Sequence, residues 1–368
     1  MELKTLNPAQ LENFILSDEF KTMPVIPISS HRALSHIQNP RVEAEDVILI
    51  LAYEGIEMVG YLGVLADKIY NEEEEIKCGW LSCMWVNPNL RGKGIAKQLL
   101  NTAFEKWDNK ILVTEFTPEA KGLYDRSNNF SDLKINLGLR CYLKSNLQEL
   151  LPKKNKQLIF VTPLLKVLDS FANVTISVYQ NWMSRIISKP IFVWKENQLI
   201  DNKIDAFINS FVFNSFERRR ITELNWILSK PWIQPSELTS ESVRYHFSSV
   251  DREFKNLLYT AQNETGDLKA FLFITIRSGH LKIPYAFFLE EDLNDVVAQL
   301  RQIMLSETVH QITIFHPLLV NYFSKNKKLF INTRVQKRHY IFTKKLDELF
   351  KNKSEIIIQD GDADCAFT

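Results

Sequence analysis

The stretch of this sequence best suited to chemistry is Arg91-Gly92-Lys93-Gly94. It follows an apolar run, 78-CGWLSCMWV-86, and the pair Asn87-Pro88. It precedes a segment that sets Ile95, Leu99, Leu100, Ala103, Phe104 and Trp107 on one helical stripe. The pattern predicts a strand, a turn and then a helix. The first turn of a helix leaves backbone N–H groups without partners, and the helix dipole adds about half a positive charge there. Anions are held at such ends. Glycines at 92 and 94 let backbone amides approach an anion closely, and Arg91 and Lys93 add charge and donors. The chemistry implied is the grip of a phosphate or diphosphate.

Spacing excludes two common phosphate loops. A Walker A loop requires GxxxxGK[ST], but Gly94 is followed by Ile95-Ala96. A dinucleotide fingerprint requires a third glycine where Lys97 stands, and a βαβ unit where this sequence reads as a meander. A helix N-terminus with convenient glycines is the plain alternative.

The six residues Arg91-Gly92-Lys93-Gly94-Ile95-Ala96 resemble the R/Q-x-x-G-x-G/A signature of the GNAT superfamily of N-acetyltransferases. Val86-Asn87-Pro88 before it and Leu99-Leu100 after it are similar to the family's flanks, and 120-AKGLYDRSNNF-130 resembles its next helix. The resemblance covers about residues 2–145. It implies acetyl-CoA as co-substrate and no metal. Met84, Trp85 and Val86 would pair with the pantetheine arm, and the amides of Arg91, Gly92, Lys93, Gly94, Ile95 and Ala96 would hold the pyrophosphate. The implied reaction is direct attack of an amine on the thioester. Tyr124 stands where relatives commonly place a general acid; otherwise it is a helix aromatic packed on the sheet. The strand 78–86 carries no acid, so Glu115 on the next strand is the candidate base, or else an outward-facing strand residue. Thr117-Pro118 replaces the asparagine of some relatives, and the spacing from Tyr124 to Phe130 is one residue longer than the resemblance leads one to expect. Cys83 reads as a buried thiol, with an acetyl-cysteine intermediate as the sharper option. A protein that binds CoA without turnover is the rival reading.

Elements must position these residues. A strand is expected at 2–6 and a helix at 8–20 behind the N-cap Asn7, with Pro8 at its first position. Residues 47–55 and 57–70 should form a hairpin about Glu54-Gly55, and 72-EEEE-75 a solvated loop. A strand at 111–117, a helix at 118–126 and a strand near 133–144 complete the series. From residue 257 the order returns: three strands, a helix at 291–307, a strand at 311–315, a short helix and a strand at 338–345. Its second helix has neither glycine nor arginine at its mouth (288-FLEEDLNDVVAQL-300). The fold expected is a mixed α/β, mostly antiparallel sheet flanked by helices, in two tandem copies. The expected domains are a GNAT-like domain at 1–150, a helical connection at 151–240 and a degenerate copy at 241–368.

The connection holds Arg218-Arg219-Arg220, which could grip an anion or form ion pairs. The segment from Arg219 through Leu224 and Trp226 to Pro231 resembles a stretch of long bacterial acetyltransferase-like proteins, some connected with surface polysaccharides. On that resemblance Trp226, Trp232 and Tyr285 would line an acceptor cleft; otherwise they are core. An amine-bearing small molecule or aminosugar is the expected acceptor.

The 45 Lys+Arg and 44 Asp+Glu nearly cancel, which gives no general pull toward nucleic acid or membrane, and neither is an expected partner. The four cysteines form no CxxC pair, so neither a zinc site nor a disulfide framework is implied. The N-terminus does not read as a signal peptide, and a cytoplasmic location is expected. Residues 157–179, broken by Pro163, Lys166 and Asp169, read as a core helix or strand–helix pair rather than a span. The tail 360-DGDADCAFT-368 has the first EF-hand spacings without the loop's glycine or its end, and reads as a polar terminus.

Overall fold

The computed structural model describes residues 1–186, 189–350 and 353–367. In chain order the elements are β1 (Glu2–Leu6), α1 (Pro8–Leu16), α2 (Asp18–Thr22), α3 (Ser30–Ile37), β2 (Leu49–Glu54), β3 (Glu57–Asn71), β4 (Glu74–Val86), α4 (Ile95–Lys106), β5 (Ile111–Val113), α5 (Pro118–Ser127) and β6 (Phe130–Tyr142). Then come α6 (Leu147–Lys154), α7 (Thr162–Ile186), β7 (Val193–Asn197), α8 (Asn202–Asn209), α9 (Ile221–Ser229) and α10 (Ser240–Arg244). The last part holds β8 (Lys255–Gln262), β9 (Leu268–Arg277), β10 (His280–Phe288), α11 (Leu293–Ser306), β11 (Gln311–Ile314), α12 (Pro317–Lys325), β12 (Asn332–Thr343) and α13 (Lys344–Asp347).

These elements form two compact units that interleave along the chain: Met1–Asn136 with Leu199–Phe254 and Arg338–Thr368, and Leu137–Gln198 with Lys255–Lys337. Boundaries at 150 and 240 therefore do not coincide with compact units. Residues 199–254 and 338–368 complete the first unit, and β7 pairs with β8 in the second. In the first unit the strands run β1-β2-β3-β4-β5-β12, and in the second β6-β11-β10-β9-β8-β7. The determined pairings are antiparallel except β4–β5 and β10–β11.

Both repeated runs of elements are present, from β2 to β6 and from β8 to β12, in the order β-β-β-α-β-α-β. Each central strand carries one extra residue at the same place. In β4, Ser82 and Trp85 face Gly63 and Tyr61; in β10, Lys282 and Tyr285 face Thr275 and Phe273. Such bulges bend a strand and re-aim its end.

Several elements depart from expectation. The helix expected at 8–20 breaks at Ser17, whose hydroxyl caps α2. Strand β5 stops at Val113, because Glu115 adopts a left-handed φ of 51°. Arg219 is buried and paired with Asp67 at 2.6 Å and Glu217 at 2.9 Å, while Arg220 pairs with Asp205. Arg218 lies over Tyr70. The arginine triplet is thus an internal set of ion pairs and stacking contacts, and removing one partner of the buried set costs about 3–5 kcal/mol. Trp226, Trp232 and Tyr285 are core side chains.

The tail is not a polar terminus. Phe367 stacks on Trp232 with centroids 4.4 Å apart, Asp360 pairs with Arg338, and the carbonyls of Gly361 and Ala363 accept from Arg219. Asp360 and Asp362 are buried, Asp360 against the buried Arg338, and Asp364 accepts from Ser82. Residues 157–179 are not core either: Phe160, Leu164, Phe171, Val174 and Val178 are all exposed.

Candidate functional site

The site sits where β4 meets α4. β4 pairs with β5 only at Gly79↔Ile111 and Trp80↔Leu112 and then runs on to Val86, whereas β5 ends at Val113. Past the bulge, where Cys83 takes a left-handed φ of 52°, the edge of β4 is left without that neighbouring strand. A non-glycine residue held there stores of order 1 kcal/mol, which the surrounding packing must impose.

After Val86, Asn87 accepts from the Asn89 amide and a short 3-10 turn over Pro88–Leu90 leads into the loop. Gly92 and Gly94 have φ of 87° and 80°, in the region that favours glycine, and a Cβ built on either meets nothing within 4 Å. Gly94 is the N-cap of α4 and offers no side-chain cap. Among the described residues the loop's internal backbone bonds use the amides of Arg91 and Lys93, not those of Gly92, Gly94, Ile95 or Ala96. Four donors, two cations and an open face therefore meet at the positive end of a helix. This is the donor set a diphosphate needs.

The predicted residues divide by face. Ile95 and Tyr124 belong to one buried apolar cluster, with the partly buried Met84, Val86, Leu90, Phe116 and Phe130 against it. Trp85 points the other way, stacked between Tyr61 at 5.6 Å and His246 at 4.8 Å. Tyr124 is buried against Phe116 and Phe130, and burial pushes its phenol up to about 12. Its proton is thus held more tightly than in an exposed tyrosine. Glu115 leaves the strand and forms an ion pair with the buried Arg338 at 2.8 Å. Thr117 caps α5 with Pro118 at its first position, which accounts for that pair in local terms.

Two features escaped the sequence. One is a buried polar cluster behind the bulge. The Arg32 guanidinium donates to Cys83 Sγ at 2.7 Å, to the Tyr245 hydroxyl at 3.2 Å and to Ser82 Oγ, and it lies 3.6 Å over the Trp232 ring. Ser82 in turn donates to Asp364 at 2.7 Å. The second is a cleft of about 350 Å³ between residues 19–25 and the end of β4, lined by Glu19, Met23, Ile56, Glu57, Trp85 and Asn87. Both join residues far apart in sequence: Ser82, Cys83, Trp85 and Asn87 lay in the stretch before the loop, but nothing local pointed to Arg32, Tyr245 or Glu19 as their neighbours.

Residues 45–131 match the family model of the acetyltransferase (GNAT) domain. This stretch is a GNAT domain. Signature loop, bulged β4 and Tyr124 all lie inside it. A search among curated proteins returns no match. Among solved structures the chain is similar to a conserved protein of unknown function from Enterococcus faecalis V583, described as a probable N-acyltransferase. Identity is 8%, the likeness covers 93% of this chain and 72% of that one, and the TM-score is 0.51. It is also similar to Saccharomyces cerevisiae N-myristoyltransferase with bound myristoyl-CoA, at 9% identity, 93% and 82% coverage and a TM-score of 0.50. At such identities the likeness is one of fold. That fold, mixed α/β with a mostly antiparallel sheet, is the one expected from the sequence. The GNAT domain supports acyl-CoA-dependent acyltransferase activity and an acyl-CoA co-substrate in general.

Proposed function

We propose that the protein moves an acetyl group from acetyl-CoA to an amine of a small molecule or aminosugar by direct attack. The observation that carries this reading is the open loop at 91–96, with its unbonded amides at the end of a strand that has lost its neighbour. The amides of Gly92, Gly94, Ile95 and Ala96 hold the diphosphate, helped by Arg91 and Lys93. The free edge of Met84, Trp85 and Val86 receives the pantetheine arm, and an amide of that edge polarises the thioester carbonyl. Tyr124 keeps its proton at neutral pH and donates it, or a hydrogen bond, to the leaving thiolate.

The acceptor enters the cleft beside Trp85. Glu19 and Glu57 draw an ammonium ion there, and the indole face favours a cation. The attacking amine must then give up a proton, which makes Glu57, Glu19 or Glu115 the alternatives for base. Calorimetry with acetyl-CoA and a thiol-release assay over an amine panel test the reading. Binding with release supports it; absence of binding rejects it.

A second reading is a CoA-binding protein without turnover. The lack of any acid on residues 78–86 and the engagement of Glu115 with Arg338 favour it. Binding without thiol release across the panel would select it.

A further inference from the structure

Helix α7 of the second unit is built inside out. Its Thr162–Ile186 span is 25 residues, about 38 Å at 1.5 Å per residue. Leu164, Val167, Phe171, Val174, Val178 and Trp182 recur every three or four positions, on one stripe, and all are exposed: Phe171 by 73%, Val178 by 66%. Three polar residues, Asp169, Asn173 and Gln180, face the protein together with the buried Leu165 and Met183, while Lys166, Ser170, Thr175, Asn181 and Arg185 are exposed. Asp169 is buried and accepts from Ser145 Oγ at 2.6 Å and from the Leu147 and Gln148 amides at 2.9 Å; Asn173 bonds the Ser145 backbone; Gln180 donates to the Leu143 carbonyl at 2.9 Å. A soluble helix shows the reverse pattern. An exposed stripe of this length marks a surface that meets an apolar medium.

Charge says which medium. From Lys144 to Lys189 the sequence holds seven Lys or Arg against two acids, Glu149 and Asp169, in a chain of net charge +1. Apart from Lys166 these cations flank the apolar stripe: 153-KKNK-156 before it, Arg185 and Lys189 after it. Beside the helix a groove of about 260 Å³ is lined by Thr175, Ile176, Tyr179 and Lys328–Ile331, of which Lys328 and Ile331 are exposed. A second copy docking on this stripe would set the same cations against each other, with Asp169 already engaged. Anionic lipid headgroups complement basic flanks, and acyl chains complement the stripe.

We propose that α7 lies in the plane of an anionic lipid bilayer, with its stripe among the acyl chains and its basic flanks at the headgroups. It lies on the bilayer rather than across it, since its polar face is tied to residues 143–148 of the same unit. The test is flotation of the full-length protein with vesicles of phosphatidylcholine alone or with about a third phosphatidylglycerol. The expected result is partition onto the anionic vesicles, reduced by about tenfold or more in the double variant Phe171→Glu, Val178→Glu. Quenching of tryptophan fluorescence by brominated lipid, lost in Trp182→Phe, gives an independent readout on the unmodified stripe. No partition onto either vesicle overturns the proposal, as does equal partition onto both. A dimer in vesicle-free solution that the double variant dissolves overturns it in favour of a second copy.

Discussion

Helix α4 is entered from a bulged strand through Asn87-Pro88, a left-handed Gly94 and the cations Arg91 and Lys93. Helix α11 is entered from a strand bulged at the matching place, through Glu290, Glu291 and Asp292. Its first turn holds its own anion: Asp295 accepts from the Ile191 and Phe192 amides and from Trp194 Nε1 at 2.7 Å. The backbone plan is shared, yet the electrostatics are opposite. At the first mouth stand unbonded amides and two exposed cations, Arg91 and Lys93, the latter 3.8 Å from Glu54. At the second, three acids in the 3-10 turn repel an anion. The same order of elements can thus be built with opposite charge at its helix mouths, one lined by cations and one by acids that accept structural hydrogen bonds.

The largest test of this contrast is Gly94→Glu. It places a carboxylate and its bulk at the mouth of α4 and forces a side chain into left-handed φ. Acetyl-CoA affinity should fall by at least about a hundredfold, roughly 3 kcal/mol, since a like charge at an anion site adds to lost access. Calorimetry on the unmodified chain should give one CoA per chain. A second equivalent would break the contrast outright, because the α11 mouth would then bind despite its acids.

Next in size is Tyr124→Phe. On the proposed function the chemistry takes place at the first mouth, so the rate should drop about 10²-fold with acetyl-CoA affinity unchanged. Because burial raises this phenol to about 12, its proton is retained where an ordinary tyrosine, near 10, has lost half. The rate should therefore show no fall assignable to Tyr124 up to about pH 10. A descending limb at or below that pH, absent in Tyr124→Phe, would contradict the structure's account of this residue.

Much of this was legible in the sequence, for physical reasons. Periodicity and turn chemistry located β2 to α5 and β8 to α12, because amphipathic stripes and glycines act locally. The turn at 91–96 into α4 was legible because its glycines and the helix stripe that follows are adjacent in the chain. Contacts of long sequence separation were not legible. Nothing local says that Arg219 would bury itself against Asp67, that Phe367 would stack on Trp232, or that Arg32 would reach Cys83. The exposed α7 was misread for a related reason. A run apolar enough for a core looks the same when its other face carries Asp169, Asn173 and Gln180 inward, and only the fold shows which side is covered.

Asp295→Asn probes the second mouth. The amide keeps one acceptor and loses the charge that two backbone amides and an indole share. The second unit should lose about 1–3 kcal/mol, read by chemical denaturation, because hydrogen bonds to a charged acceptor are the stronger kind. Affinity of the 91–96 loop for acetyl-CoA should not change. A loss of CoA binding with Asp295→Asn would mean that the second mouth takes part in the ligand site, against the comparison.

The smallest effect should come from Arg91→Gln. Arg91 is exposed, so its attraction for a diphosphate acts through water and adds about 1 kcal/mol, some fivefold in affinity, at low salt. Salt screens such an interaction, whereas bonds from the loop amides to phosphate oxygens are short-range and less sensitive. The difference between Arg91→Gln and the unmodified protein should therefore shrink as potassium chloride rises, while the Gly94→Glu defect persists. If both defects fade together, long-range charge would carry the recognition, and the unbonded amides at Gly92, Gly94, Ile95 and Ala96 would lose their place as the determining difference between the two helix mouths.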